Sequence, residues 1–278
     1  MKLGRVLGLG AVLVGLTLPM RASAEQRHDW MLQAGDPGSY LNLDIVFGAL
    51  QATFEQRINI FGGANTLTLK AGALAAIPYG STQLDADIRI VILNLGVSVG
   101  VQDFWINQTF ADGVNPTRKL RREREASGDF DTQIFPFVEA RAGIVLPFND
   151  HFLFNNVNAF RVMGTKDNTF DYGTGVVHDG NYLRSDFQFF IKDDSFGGVG
   201  PMFQIANFPY QGERRTQMNF GLIYISRAGL VQRDDLILFQ MLFHAAGLGG
   251  YDNTEVYGLA VLRGPIAFTL AYRSVISL

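Results

Sequence analysis

Apolar and polar residues alternate with a period of two along most of the chain beyond residue 40, and this pattern constrains the fold more than any other feature of the sequence. Leu41, Leu43 and Ile45, for example, alternate with Asn42 and Asp44. Successive side chains of a β-strand point to opposite faces of the sheet, so such a segment has one apolar face and one largely polar face. The pattern predicts an all-β fold.

The alternation returns in many later segments, separated by turn sequences such as Gly62-Gly63-Ala64-Asn65. The clearest apolar sets are Leu67, Leu69, Ala71 and Ala73; Ala86, Ile88 and Ile90; Leu95, Val97, Val99 and Val101; Val138, Ala140, Ala142, Ile144 and Leu146; Leu183, Phe187, Phe189 and Ile191; Met218, Phe220, Leu222 and Tyr224; and Ile266, Phe268, Leu270, Tyr272, Ile276 and Leu278. Near Leu93-Asn94 the apolar set changes parity, which predicts a tight turn or a bulge there.

The first residues have the order of a secretory signal peptide. Lys2 and Arg5 precede an apolar stretch that ends before Pro19, and Ala22-Ser23-Ala24 follows. The stretch is too short to span a membrane as a helix, so we expect cleavage after Ala24. The predicted organisation is a signal peptide at 1–24, an N-terminal extension or edge strand at 25–39 and a β-barrel domain at 40–278.

Two architectures fit an exported chain of alternating strands, a soluble β-sandwich and a transmembrane barrel. Apolar faces without polar interruption, polar faces of mixed charge, and a chain that ends on an apolar strand favour the barrel. Aromatic residues near strand ends are expected to form interfacial girdles: Phe104, Trp105, Phe135, Phe137, Phe148, Phe152, Phe154, Phe208 and Tyr210. We predict a closed, antiparallel, up-and-down transmembrane barrel of about 12 strands, with 10–14 possible, because closure favours an even number.

Composition excludes several functions. The chain has no Cys, which removes thiolate metal sites and Cys nucleophiles. Its net charge of −3 lacks the basic surplus of a nucleic-acid binder. The four histidines have no metal-ligand spacing, so we expect neither a metal nor a cofactor. The acid pairs Asp193-Asp194 and Asp234-Asp235 are interpreted as turn residues that face water, with calcium ligation at a loop as the alternative.

The signal peptide, the alternating strands, the short turns interleaved with longer polar loops and the terminal strand together resemble Gram-negative outer-membrane β-barrel proteins as a broad class. The resemblance covers nearly all of the chain after the signal peptide. It implies an outer-membrane location, with membrane lipid and lipopolysaccharide as surroundings. The last residue in that class is usually aromatic, whereas here it is Leu278.

A lumen lined by ionic residues predicts a passive role, either a porin-like channel for small solutes or a structural barrel whose charges pair across a closed lumen. The alternatives are a lipid-modifying enzyme of phospholipase or deacylase type and a soluble β-sandwich that binds a ligand. The residues expected to line the lumen are Lys70, Asp85, Asp87, Arg89, Glu139, Arg141, Arg184 and Asp186.

Two loops carry the remaining candidates. The segment 107–132 is rich in cations and is interpreted as a solvated loop, with contact to lipopolysaccharide phosphates as the alternative. His178 is the best candidate for a catalytic base, but residue 180 is Gly and the next serine is Ser185, so no local triad forms. The sequence therefore favours a non-enzymatic role.

Overall fold

Twelve antiparallel strands close into one barrel, as the alternation predicts. The computed structural model describes residues 37–46, 49–61, 65–76, 79–104, 133–164, 169–171, 176–178, 180–193, 196–210, 213–227, 235–244 and 266–278. The strands are β1 (Gly38–Val46), β2 (Ala49–Asn59), β3 (Thr66–Ala76), β4 (Tyr79–Ile90), β5 (Leu93–Phe104), β6 (Gln133–Pro147), β7 (Phe152–Met163), β8 (Thr169–Asp171), β9 (Val176–His178), β10 (Asn181–Asp193), β11 (Gly197–Tyr210), β12 (Glu213–Arg227), β13 (Leu236–His244) and β14 (Ile266–Ser277). The short strands β8 and β9 pair only with each other in a separate hairpin.

The first and last strands close the barrel. Strand β1 pairs with β14 from Tyr40 opposite Ser277 to Val46 opposite Ala271. The backbone N–H of Leu278 donates to the carbonyl of Ser39 at 2.9 Å, which extends this seam to the last residue. An antiparallel barrel closes in this way only with an even number of strands, and twelve satisfies the condition.

The connections differ between the two ends of the barrel. At one end, here named the loop end, strands are joined by residues 47–48, 77–78, 105–132, 164–180, 211–212 and 245–265. At the other, the turn end, the connections are 60–65, 91–92, 148–151, 194–196 and 228–235, and both termini of the barrel lie there. All of the longest connections are therefore at one end.

The parity change near Leu93 is a tight turn, as expected. Strand β4 ends at Ile90, residues Val91 and Ile92 form the turn, and β5 begins at Leu93. Val91 has a φ of +52°, a conformation that is costly for a β-branched residue. Its N–H donates to Asn65 Oδ1 at 3.0 Å, which ties this turn to the neighbouring turn between β2 and β3.

The apolar face of the barrel points outward. Leu69, Ile144 and Phe189 have 42%, 37% and 49% of their surface exposed, on three different strands. Arg141 and Asp186, three residues before Ile144 and Phe189, instead contact other polar side chains on the opposite face. This polarity is the reverse of that in a soluble protein, whose apolar side chains are buried, and it excludes the two-sheet sandwich considered from the sequence.

The interior contains apolar groups as well as polar ones. Val145, Leu153, Phe190, Met202 and Ile223 form a buried cluster on the inner face of β6, β7 and β10 to β12. A second cluster of Phe135, Phe137 and Met163 lies towards the loop end. The inner wall of β6 to β13 is thus partly apolar, whereas that of β1 to β5 is polar.

Some aromatic residues lie where the girdle prediction did not put them. Phe135, Phe137 and Phe208 are buried inside the barrel, so their assignment to interfacial girdles was wrong. The reason is strand parity, because Phe135 and Phe137 share a face with Glu139 and Arg141. Phe148 and Phe152 are exposed at the turn end, whereas the side chains of Phe104, Trp105 and Tyr210 lie outside the described residues.

Several predictions cannot be compared with the fold. Residues 1–36 and the cationic segment 107–132 lie outside the described residues, so the signal peptide, the domain boundaries and the role of that segment stay predictions. The first barrel strand begins at Gly38, close to the expected boundary. In the described part of the chain, no helix is long and apolar enough to cross a membrane.

Candidate functional site

Arg141 joins acidic groups from two strands of the inner face. Its Nη2 atom donates to Asp85 Oδ1 at 3.1 Å and to Asp87 Oδ1 at 2.9 Å, both on β4. Its Nη1 atom donates to Glu139 Oε1 at 3.2 Å on its own strand. Ser98, on the intervening strand β5, donates to Asp85 and accepts from Arg141 Nη1 at 2.5 Å. One guanidinium therefore binds three carboxylates on β4 and β6 and is linked to β5 through the Ser98 hydroxyl.

A glycine makes room for this cluster. Gly96 of β5 lies between Asp87 and Arg141 in the ladder. A Cβ atom at this position would overlap Asp87 Oδ1 and would lie 3.2 Å from Arg141 Nε. Because position 96 of β5 has no side chain, Asp87 of β4 and Arg141 of β6 can contact each other across β5.

The ion pairs continue to both sides of Arg141. Arg161 of β7 donates from Nε to Glu139 Oε2 at 2.8 Å and lies 4.4 Å from the centroid of the Phe137 ring. On the other side, Lys70 of β3 donates to Asp87 Oδ2 at 3.0 Å. A continuous ionic network therefore covers the inner wall from β3 to β7.

A second ionic pair lies at the seam that closes the barrel. Arg273 of β14 donates from Nε and Nη2 to the two carboxylate oxygens of Asp44 on β1, at 2.6 and 3.1 Å. On the adjacent strand β2, Glu55 accepts from Asn42 at 2.9 Å and from Arg57 at 2.5 Å. The Arg273–Asp44 pair is bidentate, which is the strong form of an arginine–carboxylate interaction.

The opposite wall has fewer charges and a polar ladder. Arg184 and Asp186 form an ion pair at 3.2 Å along β10. Asp186 also accepts from Gln204 of β11, whose Oε1 accepts in turn from Asn219 of β12, both at 2.8 Å. The side-chain amides of Gln204 and Asn219 thus extend the polar inner surface from the ion pair on β10 across β11 and β12.

Arg89 differs from Lys70, Arg141, Arg161, Arg184 and Arg273, each of which has a carboxylate partner. Within the part of the chain that the structure describes, it has no carboxylate partner, and its one hydrogen bond is a long contact of 3.5 Å from Nε to the carbonyl of Val91. It lies at the turn-end terminus of β4, opposite Asn94 of β5. No acid among the described residues therefore neutralises its positive charge.

Two cavities lie inside the barrel. A polar cavity of about 250 Å³ includes Lys70, Asp85, Asp87 and Arg141 in its lining. A larger cavity of about 520 Å³, towards the turn end, includes Asp44 and Arg89. Arg273 lines both cavities and is the charged group at their junction.

The eight residues expected from the sequence to line the lumen have their side chains on the inner face. Five of them, Lys70, Asp85, Asp87, Glu139 and Arg141, come together in one network. Arg184 and Asp186 form a separate pair on the opposite wall, and Arg89 belongs to neither group.

The sequence reasoning missed the partners that complete the site. Beyond the eight, Arg273 pairs with Asp44, Arg161 pairs with Glu139, and Ser98 mediates between Asp85 and Arg141. Strand parity was the available signal, since Arg273 opposes the apolar set of the last strand. What parity does not specify is the register that brings Arg273 beside Asp44.

The enzymatic candidates do not come together in the described structure. The side chain of His178 lies outside the described residues. Ser185 is on the outward face of β10 and donates to Asn158 Oδ1 at 2.7 Å. Among the residues described, no group of acidic or histidine side chains could hold a metal ion. Asp235 is fully buried and accepts from the Tyr272 hydroxyl, so its interpretation as a residue that faces water was wrong.

Comparisons with known proteins assign the chain to no family. No family model matches the chain, and no curated protein matches it. Among solved structures, a NanC porin in a rhombohedral crystal form is 11% identical with a TM-score of 0.36, and the match covers 87% of this chain and 99% of that chain. A protein solved in work on the in-meso crystallization of membrane proteins is 9% identical with a TM-score of 0.39, over 86% of this chain and 83% of that chain. At such low identities and scores the resemblance identifies no function for this chain.

Proposed function

We propose that this protein is an outer-membrane barrel that conducts small solutes through its charged lumen. The observation that carries the proposal is the reversed polarity of the barrel, with exposed apolar side chains outside and paired ions inside. In water, an outer surface that exposes Leu84, Leu95, Val138, Phe160 and Leu222 would be a large apolar patch. In a bilayer the same surface is covered by acyl chains, and a closed barrel pairs the backbone N–H and C=O groups of its strands with one another.

The distribution of connections supports an orientation in that membrane. Bacterial barrels have short periplasmic turns and longer extracellular loops. The long connections 105–132, 164–180 and 245–265 would then lie outside the cell, beside the lipopolysaccharide, and the turn end would face the periplasm. The signal sequence at 1–24 would supply the export that this location requires.

The two inner cavities support conduction over a purely structural role. In a barrel that serves only to hold its strands together, we expect the inner side chains to fill the lumen. Here cavities of about 250 and 520 Å³ remain, with Arg273 at their junction. Ions of both signs around this position would sort solutes by charge rather than by size alone.

The test is single-channel conductance of the purified barrel in a planar bilayer. We expect discrete conductance steps in KCl, and larger steps for the double variant Asp44→Asn/Arg273→Ser, which removes the bulk at the junction without leaving an unpaired charge. Arg214→Ser is the matched control, since Arg214 is exposed and contacts Asn207 on the outward face. If neither the native barrel nor the double variant conducts, the lumen is sealed and the structural role replaces the channel.

A further inference from the structure

The larger cavity is amphipathic, which a simple ionic pore does not require. Its lining includes the charged residues Asp44, Arg89 and Arg273, and also the apolar residues Val145, Leu153 and Phe190. Its volume of about 520 Å³ is within the range of sites that bind small organic molecules, roughly 300 to 1,000 Å³. The residues come from strands all around the barrel, so the cavity occupies the lumen and is not a groove on its wall.

The charge of this cavity favours an anion. Asp44 is its one carboxylate among the described lining residues, and both of its oxygens are already bound by Arg273. Arg89 brings a further positive charge that no described acid compensates. The charges of Asp44 and Arg273 cancel, whereas that of Arg89 does not, so the net charge of the described lining is positive. A carboxylate, sulfonate or phosphate would therefore be attracted to Arg89.

The apolar wall favours a ligand with a hydrocarbon part. Val145, Leu153 and Phe190 belong to the packed inner cluster, which fixes their positions. Leu236 and Leu238 of β13 extend the same wall within the cavity. Barrel interiors are ordinarily polar, and the partly exposed Ile225, Leu236 and Leu238 leave hydrocarbon surface in contact with lumen water unless a ligand covers it.

We propose that this cavity is a binding site for small amphipathic anions, with the anionic group on Arg89 and the hydrocarbon part on Leu236 and Leu238, beside the buried apolar cluster. The proposal builds on the proposed channel by naming the class of solute that it selects. Aliphatic or aromatic carboxylates of about the size of 4-phenylbutyrate fit the volume and polarity of the site. Such a ligand would reach the site through the lumen and would bind without any chemical change.

Binding is tested by titration calorimetry on the full barrel in lipid nanodiscs. The probes are 4-phenylbutyrate, 4-phenylbutylamine with the same hydrocarbon part and the opposite charge, and acetate with the same anionic group alone. Empty nanodiscs correct for partition into lipid. We expect saturable binding of 4-phenylbutyrate, and at least about tenfold weaker binding of the other two, since each lacks half of the contacts.

Substitutions of Arg89 test whether its guanidinium binds the anionic group of the ligand. Arg89→Gln is expected to weaken 4-phenylbutyrate binding about tenfold, whereas Arg89→Lys retains most of it. Both should fold, because Arg89 has no described carboxylate that its loss would leave unpaired. The matched control is Lys70→Gln, which removes a cation that lines the smaller cavity and not this one.

The binding and conductance measurements test the binding site and the channel separately. Equal affinity for the anion and the amine, equal loss in Arg89→Gln and Lys70→Gln, or no saturable binding would overturn the assignment of this site. Conductance in KCl is measured on the same preparation. A barrel that conducts and does not bind 4-phenylbutyrate leaves the channel and removes the site, whereas one that binds it and does not conduct leaves the site and removes the channel.

Discussion

Replacing Arg141 with methionine would remove the cation that three inner carboxylates share. Methionine preserves part of the apolar stem and none of the hydrogen bonds. Glu139 would keep Arg161 at 2.8 Å, and Asp87 would keep Lys70 at 3.0 Å. Asp85, whose side chain is only 4% exposed, would lose its one described cation and keep only neutral donors. The cost is therefore concentrated on Asp85.

The magnitude follows from that burial. Breaking a buried ion pair by removing one partner costs about 3 to 5 kcal/mol. Because the Arg141 side chain is 25% exposed, we expect the lower end, about 3 kcal/mol off the free energy of unfolding. Lys70→Met is the matched control, since Asp87 is 28% exposed and retains Arg141, and its cost should be about 0.5 kcal/mol.

The assay is equilibrium urea unfolding of the barrel in lipid vesicles, followed by the fluorescence of the two tryptophans. Adding Asp85→Asn to Arg141→Met should recover at least half of the lost stability, because the uncompensated charge is then gone. If Arg141→Met costs no more than Lys70→Met, or if Asp85→Asn recovers nothing, the cluster does not hold β4, β5 and β6 together in the way described here.

Two further substitutions test packing and the buried acid. Tyr272→Phe removes the hydroxyl that donates to fully buried Asp235 and should cost about 1 to 3 kcal/mol in the same urea titration; no change would mean that the hydroxyl is replaced by water without loss. Gly221→Val places a Cβ against the backbone carbonyl of Met241, so the yield of folded barrel on a heat-modifiability gel should fall sharply. Gly72→Ala, whose nearest neighbour is Thr53 Oγ1 at 3.2 Å, should leave the yield almost unchanged, and equal yields for the two would contradict the close approach at Gly221.

Strand alternation predicted the strands. The composition of their two faces favoured the barrel with its apolar face outward, and the even number that closure favours led to the prediction of about twelve strands. Leu69 and Lys70 are an example. A one-residue change of register would turn Lys70 to the outer face and Leu69 to the lumen, so the sequence pattern fixes which face each residue occupies. The phase change at Leu93 likewise predicted the turn at Val91 and Ile92. These features depend on local sequence, which a single chain contains in full.

Pairing between distant strands could not be predicted in the same way. Nothing near Asp44 in the sequence indicates that Arg273 lies beside it, since the two meet only when the last strand closes on the first. The same limit applies to Arg141 and Asp85, which depend on the registers of β4, β5 and β6. The inner position of Phe135 and Phe137 was predictable from parity with Glu139, but was obscured by their closeness to a strand end.

A single-cysteine scan of β3 tests most directly whether the apolar face meets lipid. The chain has no cysteine, so one spin label can be attached at each position from 66 to 76 without removing any native thiol. In vesicles, the account predicts that labels at Leu67, Leu69 and Ala71 collide with oxygen dissolved in the bilayer, while labels at Thr68 and Lys70 collide with a water-soluble nickel chelate. Labels that respond to the chelate at every position, or with the opposite parity, would contradict the membrane placement and the lumen with it.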